Sequence, residues 1–252
     1  MQTTIEVTAA RTTISYAKSA DWGWWNPEKY DDWQTGEDKE TGLAEARLLL
    51  TGDVYTVVLN LERYPTLEAA ASRTDEETGA EINHELTTEF EAYDLALAQW
   101  FGGKENVGIM PWFGVTYMQI KETRATLAES TDGTNRFEDR ARSRLWGALL
   151  GADWRARLKP RLLLSGRMML RWGWGNREAT ISSIGPDAGA PAAVEAQLSD
   201  DVSRAMWGAD FGLRWEANRH FQLEGGWRYR DWRYDNGPAS FNGPFLRLVL
   251  VL

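Results

Sequence analysis

The sequence contains no cysteine, so disulfide bracing, thiol nucleophiles and thiolate metal centres are excluded. It contains only two histidines, His84 and His220. No run approaches 18 apolar residues, which excludes a transmembrane helix, although strands of alternating polarity escape that test. An excess of basic residues is also missing. The formal net charge is -9, which argues against nucleic acid as a partner. No complete calcium-loop spacing is found; Asp132-Gly133-Thr134-Asn135 is a fragment of one, and neither a metal nor a cofactor is expected. No secretory leader is expected in this sequence either, since Met1-Gln2-Thr3 leads into Ile5-Glu6-Val7. The chain is therefore read as a mature form with an initiator methionine.

What the chain does have is tryptophan, 14 of them, and long stretches of period-two alternation. The clearest is Val202 to Tyr234. Ala205, Trp207, Ala209, Phe211, Leu213 and Trp215 occupy one phase, and Arg204, Met206, Gly208, Asp210, Gly212, Arg214 and Glu216 the other. After the turn Ala217-Asn218-Arg219-His220 the chain returns. Phe221, Leu223, Gly225, Trp227 and Tyr229 then oppose Gln222, Glu224, Gly226, Arg228 and Arg230. Strands this long, apolar on one face and charged on the other, suit a barrel with lipid outside and a polar lumen.

The same hairpin recurs along residues 1–252, which are expected to form a single domain of ten strands. Tight turns fall near 51–53, 102–106, 159–161 and 217–220, and long loops at 18–42, 65–88, 125–140, 179–200 and 235–242. The first strand carries Ile5, Val7, Ile14 and Tyr16, with a phase slip expected near Ala9-Ala10-Arg11. Leu67 to Ala71 is expected to hold a helical turn. The strict long–short alternation places every long loop on one side, external if both termini are periplasmic. Trp146 and Trp154 stand eight residues apart on one face, as do Trp207 and Trp215, and Phe221 and Tyr229. At roughly 3.3 Å per residue and a tilt of about 40°, eight residues rise about 20 Å, near the apolar band's height. Trp146, Trp154, Trp172, Trp174, Trp207, Trp215, Phe221, Trp227 and Tyr229 are thus expected to form membrane-interface girdles.

The inward phases supply Glu45, Arg47, Glu62, Asp94, Asp153, Arg155, Arg167, Arg171, Asp210, Arg214, Glu216, Glu224, Arg228, Arg230 and Arg247. The signs nearly balance, and a narrow barrel can be filled by its own side chains. A plug of paired charges is expected, with an open, anion-leaning small-solute pore as the alternative. Trp22, Trp24, Trp25, Tyr30 and Trp33 stand among acids in the first long loop, a pattern that suits contacts with an external protein or ligand.

On these grounds the chain resembles the bacterial outer-membrane β-barrel proteins. Gly243 to Leu252 looks like their closing strand, although it ends in Leu252 where an aromatic is usual. The resemblance implies an all-β, antiparallel up-and-down transmembrane β-barrel in the outer membrane, in contact with its lipid and lipopolysaccharide. A non-enzymatic membrane scaffold, or a narrow or closed channel, whose acidic, Trp-bearing loops make external contacts is the expected function. One enzymatic alternative is similar to the omptin proteases, with Asp31-Asp32 and His84 at the external mouth. His220, in a tight turn, is expected to be structural.

Overall fold

Alternation of apolar and charged residues leaves each strand with one face that avoids water and one that seeks it. A sheet built so also has two unpaired edges, and closing it into a ring removes both. The computed structural model describes residues 1–16, 34–35, 40–74, 81–102, 107–130, 133–184, 196–234 and 237–252. Its strands are β1 Gln2–Tyr16, β2 Gln34–Thr35, β3 Glu40–Thr51, β4 Thr56–Thr74, β5 Glu81–Ala98 and β6 Phe101–Gly102. They continue with β7 Val107–Ser130, β8 Gly133–Lys159, β9 Leu162–Ile184, β10 Ala196–Glu216, β11 Phe221–Tyr234 and β12 Gly237–Val251. The two-residue β2 and β6 lie off the ring, pairing with β4 and β7. The other ten pair antiparallel with their sequence neighbours, and β1 joins β12 to close the barrel.

The stagger of the ring follows from its pairing. Residues paired in succession run Leu213, Gly225, Leu246, Ala9, Ala44, Arg63, Glu91, Gln119, Arg144, Asn176 and then Asp201. The circuit returns to β10 at 201 after leaving it at 213, a shear of twelve residues. With strands about 4.8 Å apart and a rise of about 3.3 Å per residue, that shear tilts the strands by about 40°. Each residue then advances about 2.5 Å along the barrel axis.

Tight turns close the hairpins at one end. Gly52 N donates to Tyr55 O at 2.9 Å. In the 217–220 turn, Asn218 Oδ1 accepts from the backbone N–H groups of His220 and Phe221 at 2.8 and 2.9 Å. His220 is held in place: its Nε2 accepts from Arg219 Nε at 2.9 Å, so Nδ1 carries the proton and donates to Val251 O at 2.8 Å.

The other end departs from the sequence expectation. Most of the residues assigned to loops 65–88, 125–140, 179–200 and 235–242 are strand. β4 runs to Thr74 and β5 starts at Glu81, so Leu67–Ala71 is strand and not helical. β7 and β8 pair continuously out to Ser130 and Gly133. The reason is that charged and small polar residues alternate as well as apolar ones do. Cross-strand pairing continues past the apolar belt, and polarity alone does not end a strand. The phase slip near Ala9-Ala10-Arg11 is also absent. β1 keeps one register against β12 from Thr4↔Val251 to Tyr16↔Ala239. Ala9 and Ala10 carry no polarity to mark a phase. Register shifts occur instead between Tyr64 and Leu67, at Pro65, and between Arg157 and Lys159.

Outside, the wall is apolar all round. Leu59, Leu95, Val115, Leu150, Leu170, Phe211 and Leu246 are exposed, and Phe113 and Trp146 are 63% and 61% exposed. A continuous apolar belt of this size far exceeds the few hundred Å² usual on a soluble monomer. No helix of the described residues is long and apolar enough to cross a membrane.

Candidate functional site: the lumen

The inner face is a charge network spanning the barrel. Nearest the tight turns, Glu6 accepts from Arg167 Nη2 at 2.6 Å and Arg214 Nη2 at 3.3 Å. Glu224 accepts from Arg214 Nη2 at 2.6 Å and Arg247 Nη1 at 2.9 Å. Asp153 accepts from Arg47, from Arg167 Nε at 3.0 Å and from Trp112 Nε1 at 3.3 Å. At mid-height Glu45 bridges Arg228 and Arg167, the latter at 2.6 Å. Asp210 gathers three guanidiniums, Arg228, Arg230 and Arg247, each at 2.7 Å. Higher still, Glu62 accepts from Arg171 Nη1 at 2.5 Å and Arg230 Nε at 3.0 Å. Asp94 accepts from Arg171 Nη2 at 2.6 Å, Thr116 Oγ1 at 2.7 Å and Asn60 Nδ2 at 2.9 Å.

Seven carboxylates (Glu6, Glu45, Glu62, Asp94, Asp153, Asp210 and Glu224) thus face seven guanidiniums (Arg47, Arg167, Arg171, Arg214, Arg228, Arg230 and Arg247). Within the network the formal charge cancels. Every ring strand except β7 contributes a charge, and β7 contributes Trp112 and Thr116 as donors. Arginine is the cation throughout, because one planar fork can grip two carboxylates on different strands; a lysine ammonium lacks that reach in a fixed plane. Room for one of them is made by Gly208, where a Cβ would meet Arg230 Cδ at 2.6 Å.

Above this network, on the side away from the tight turns, lies an aromatic layer, with the buried pair Arg204–Glu122 (3.9 Å) beyond it. Tyr64 packs on Phe90, Trp232 and Phe241 with ring centroids 5.9, 5.9 and 5.4 Å apart. Phe90 meets Trp232 at 4.2 Å, and Trp232 meets Phe241 at 4.9 Å. Met118, Met206 and Leu145 are fully buried beside them. Tyr64, Phe90, Phe241, Arg171 and Arg228 have essentially no exposed surface, so the cross-section is filled at both levels.

Each charged residue expected on the inward phases faces the lumen, but not all of them belong to the buried network. Arg155 and Glu216 lie half-buried at the tight-turn mouth; Arg155 sits 4.3 Å over the Trp100 ring, and Glu216 pairs with Arg157 at 2.9 Å. Glu6 is a network member that the sequence reading missed, because the supposed slip in β1 blurred its phase. The aromatic plug was missed too, although parity marks it. Phe90 shares the phase of Asp94, Trp232 that of Arg230, and Phe241 that of Arg247.

On the outer wall, Trp146, Trp172, Trp174 and Trp207 are exposed toward the long-loop end. They are joined there by Tyr93, Tyr117 and Tyr229 through ring contacts of 6.2, 4.8 and 4.9 Å. Trp154, Trp215 and Phe221 lie toward the tight turns. Trp227 differs from the expectation. It pairs with Phe211, midway between Trp207 and Trp215, and so lies within the apolar band and not at its edge. Trp22, Trp24, Trp25, Tyr30, Asp31, Asp32 and Trp33 lie outside the described residues. His84 lies in β5, paired with Ala71 and Thr126, and not in a loop; its side chain is outside the described set. The His/Asp arrangement that a mouth-located hydrolase requires is therefore not assembled among the described residues.

No protein-family model matches the chain, and no curated protein matches its sequence. Among solved structures, the outer membrane protease OmpT of Escherichia coli superposes with a TM-score of 0.51 at 8% identity, covering 99% of this chain and 95% of that one. The translocator domain of the autotransporter NalP from Neisseria meningitidis gives 0.47 at 9% identity, over 99% and 88%. The closed ten-strand ring, with the likeness to OmpT, gives the chain the fold of the bacterial outer-membrane β-barrel proteins. At these identities the likeness is one of fold.

Proposed function

We propose that this protein is a closed outer-membrane barrel: a non-conducting, non-enzymatic scaffold that holds its long-loop end outside the cell for contacts. One observation carries the reading: the seven-by-seven ion-pair network, sealed by the Tyr64–Phe90–Trp232–Phe241 plug, fills the lumen. An anion-leaning pore would need an unpaired cationic wall, whereas here the guanidiniums are spent on internal carboxylates. The aromatic residues at the two ends of the apolar belt act as interface girdles, about 20 Å apart on the Trp207–Trp215 strand. Directly beyond Trp146, the outer face of β8 carries Arg144, Arg142 and Arg140, with Lys121 opposite Arg142. These exposed cations suit the phosphates of lipopolysaccharide, which supports placing the long-loop end in the outer leaflet and both termini in the periplasm. Their present partners are Glu178, Gln119, Glu138 and Glu89; the cations' own side chains stay exposed, and pairs at such a surface are worth little. The deciding measurement is conductance of the folded protein in a planar bilayer. Inserted but silent protein is the expected outcome; stable ohmic steps in the unmutated chain overturn the closed-barrel reading.

A further inference from the structure

The ring is not level at its long-loop end. β11 makes its last pair with β10 at Arg233↔Ala205, and β3 makes its last pair with β4 at Ala44↔Arg63. Beyond those levels β4, β5, β7, β8, β9 and β10 go on pairing with one another, out to Thr74↔Glu81, Ser130↔Gly133 and Ala196↔Ile181. They form a raised sheet, and a raised sheet has two edges. The β4 edge receives a strand from its own chain: Gln34 and Thr35 of β2 pair with Ser72 and Ala71. On the β10 edge, no described strand pairs with residues 197–203 from the β11 side. At about 2.5 Å of axial rise per residue, this edge reaches about 20 Å above the last β11 pair. Both of its faces are open. Leu198 and Asp200 in the inward phase are exposed, as are Gln197, Ser199, Asp201 and Ser203 in the outward phase. One strand away the inner face is covered: Ala179, opposite Leu198, is buried, and so is Ala141 beyond it.

We propose that the 197–203 edge is a docking site for an extended, cationic peptide segment of a partner protein, which adds to the raised sheet as a further strand. The inference rests on the reading that the long-loop end faces outward for contacts. An unpaired edge offers a row of backbone N–H and C=O groups; main-chain pairing supplies the affinity and side chains supply the choice. Here the choice is charge. Asp201 lies on the outer face and Asp200 on the inner, so a strand with basic residues in both phases meets a carboxylate on each. Asp200 also stands opposite Arg177 on β9, whose guanidinium lies 3.5 Å from Asp139. Leu198 and Val202 give the added strand apolar neighbours on the inner face. A second copy of this chain fits the edge less well. The antiparallel register that overlaps all of it sets Asp200 against Asp200, and like charges directly opposed destabilise a pair.

The test is fluorescence anisotropy of a labelled, end-capped synthetic peptide, two adjacent lysines between valine- and threonine-rich flanks, titrated with the detergent-folded protein. The comparisons are the same peptide with glutamates for the lysines, and the lysine peptide N-methylated on its central amides. Saturable one-to-one binding of the lysine peptide is expected, with both comparison peptides weaker by about tenfold or more. Combining D200K with D201K should reverse the preference toward the glutamate peptide. The unfolding midpoint should not move, because both side chains are exposed. Amide exchange within 197–203 should slow when the lysine peptide is present. Absence of saturable binding to the unmutated protein overturns the proposal. Equal binding of the N-methylated peptide overturns strand addition and leaves surface charge as the cause. An unreversed preference in the double variant places the peptide elsewhere and overturns the site. A free protein that is dimeric and already protected at 197–203 gives the edge to a second copy and overturns the peptide assignment. Bilayer conductance reads none of these outcomes, so failure here and failure of the closed-barrel reading remain separable.

Discussion

Replacing Arg171 by methionine tests the network at its most buried point. Arg171 has no exposed surface, holds Glu62 at 2.5 Å and grips Asp94 through Nε and Nη2. Methionine keeps the length and removes the charge. Taking one partner from a buried pair costs about 3–5 kcal/mol, because the other charge is left uncompensated in a poor dielectric. Here the orphans retain help. Glu62 keeps Arg230 and the Tyr64 hydroxyl, and Asp94 keeps Asn60 and Thr116. The loss should therefore sit at the low end, about 3 kcal/mol. With a urea slope of about 3 kcal/mol/M, the unfolding midpoint falls by about 1 M. Asp94→Asn removes the charge and keeps one of the two oxygens, that which receives Thr116, while the oxygen that receives Asn60 becomes an amide nitrogen. The double variant should therefore be more stable than the sum of the singles predicts, by about 0.5–3 kcal/mol. Tryptophan fluorescence of the protein folded in phosphocholine vesicles reads the transition. An Arg171→Met midpoint indistinguishable from the parent, or strict additivity of the two singles, would refute the argument that these charges are coupled and buried.

Arg214, still 16% exposed at the mouth, should matter less than Arg171: Arg214→Gln is expected to cost about 1 kcal/mol in the same assay, and an equal or larger loss would contradict the burial gradient. Gly208→Ala places a methyl against the Arg230 stem; a loss of about 1–3 kcal/mol is expected, and a neutral result would mean that Arg230 has room to move. Phe90→Ala with Trp232→Ala empties the aromatic plug, yet the protein should stay silent in a bilayer because the charged tiers below still close the lumen; conducting steps would assign the seal to the plug alone. In single-tryptophan variants, Trp227 should be quenched most by a bromine deep in the lipid chain. Trp146 and Trp215 should respond to a bromine near the headgroup, and the same quenching profile for all three would remove the girdle assignment.

The ring was legible in the sequence because period two is easily read where the phases differ in polarity, as from Trp207 to Trp215 against Arg204 to Glu216. It was not legible where both phases are polar or small. Ala9 and Ala10 hid the continuity of β1, and with it Glu6. The outer ends of β7 and β8, 125–130 and 133–140, looked like loop because polar and small residues (Thr126, Glu129, Glu138, Arg140) fill both phases. Which residues line the lumen follows from parity alone, but which acid meets which arginine does not. Arg167 and Glu6 are 161 positions apart, and only the twelve-residue stagger brings them level. The aromatic plug lay in plain parity as well. It went unread because inward aromatics were sought on the outside, where lipid would want them.

The same long separations bear on how the chain assembles. Arg167 reaches Glu6, Arg214 reaches Glu6 and Arg228 reaches Glu45 only after the first strands have met the last. An open, partly paired sheet would gain none of these contacts, yet it would already carry most of their desolvation risk if it entered lipid. The network thus acts as a latch that engages only on closure. Partial sheets are kept at the water's edge, and the step that joins β1 to β12 is the one at which the molecule becomes stable. A chain lacking β12 should therefore fail to hold any of the barrel in the bilayer, and not merely lose one strand of it.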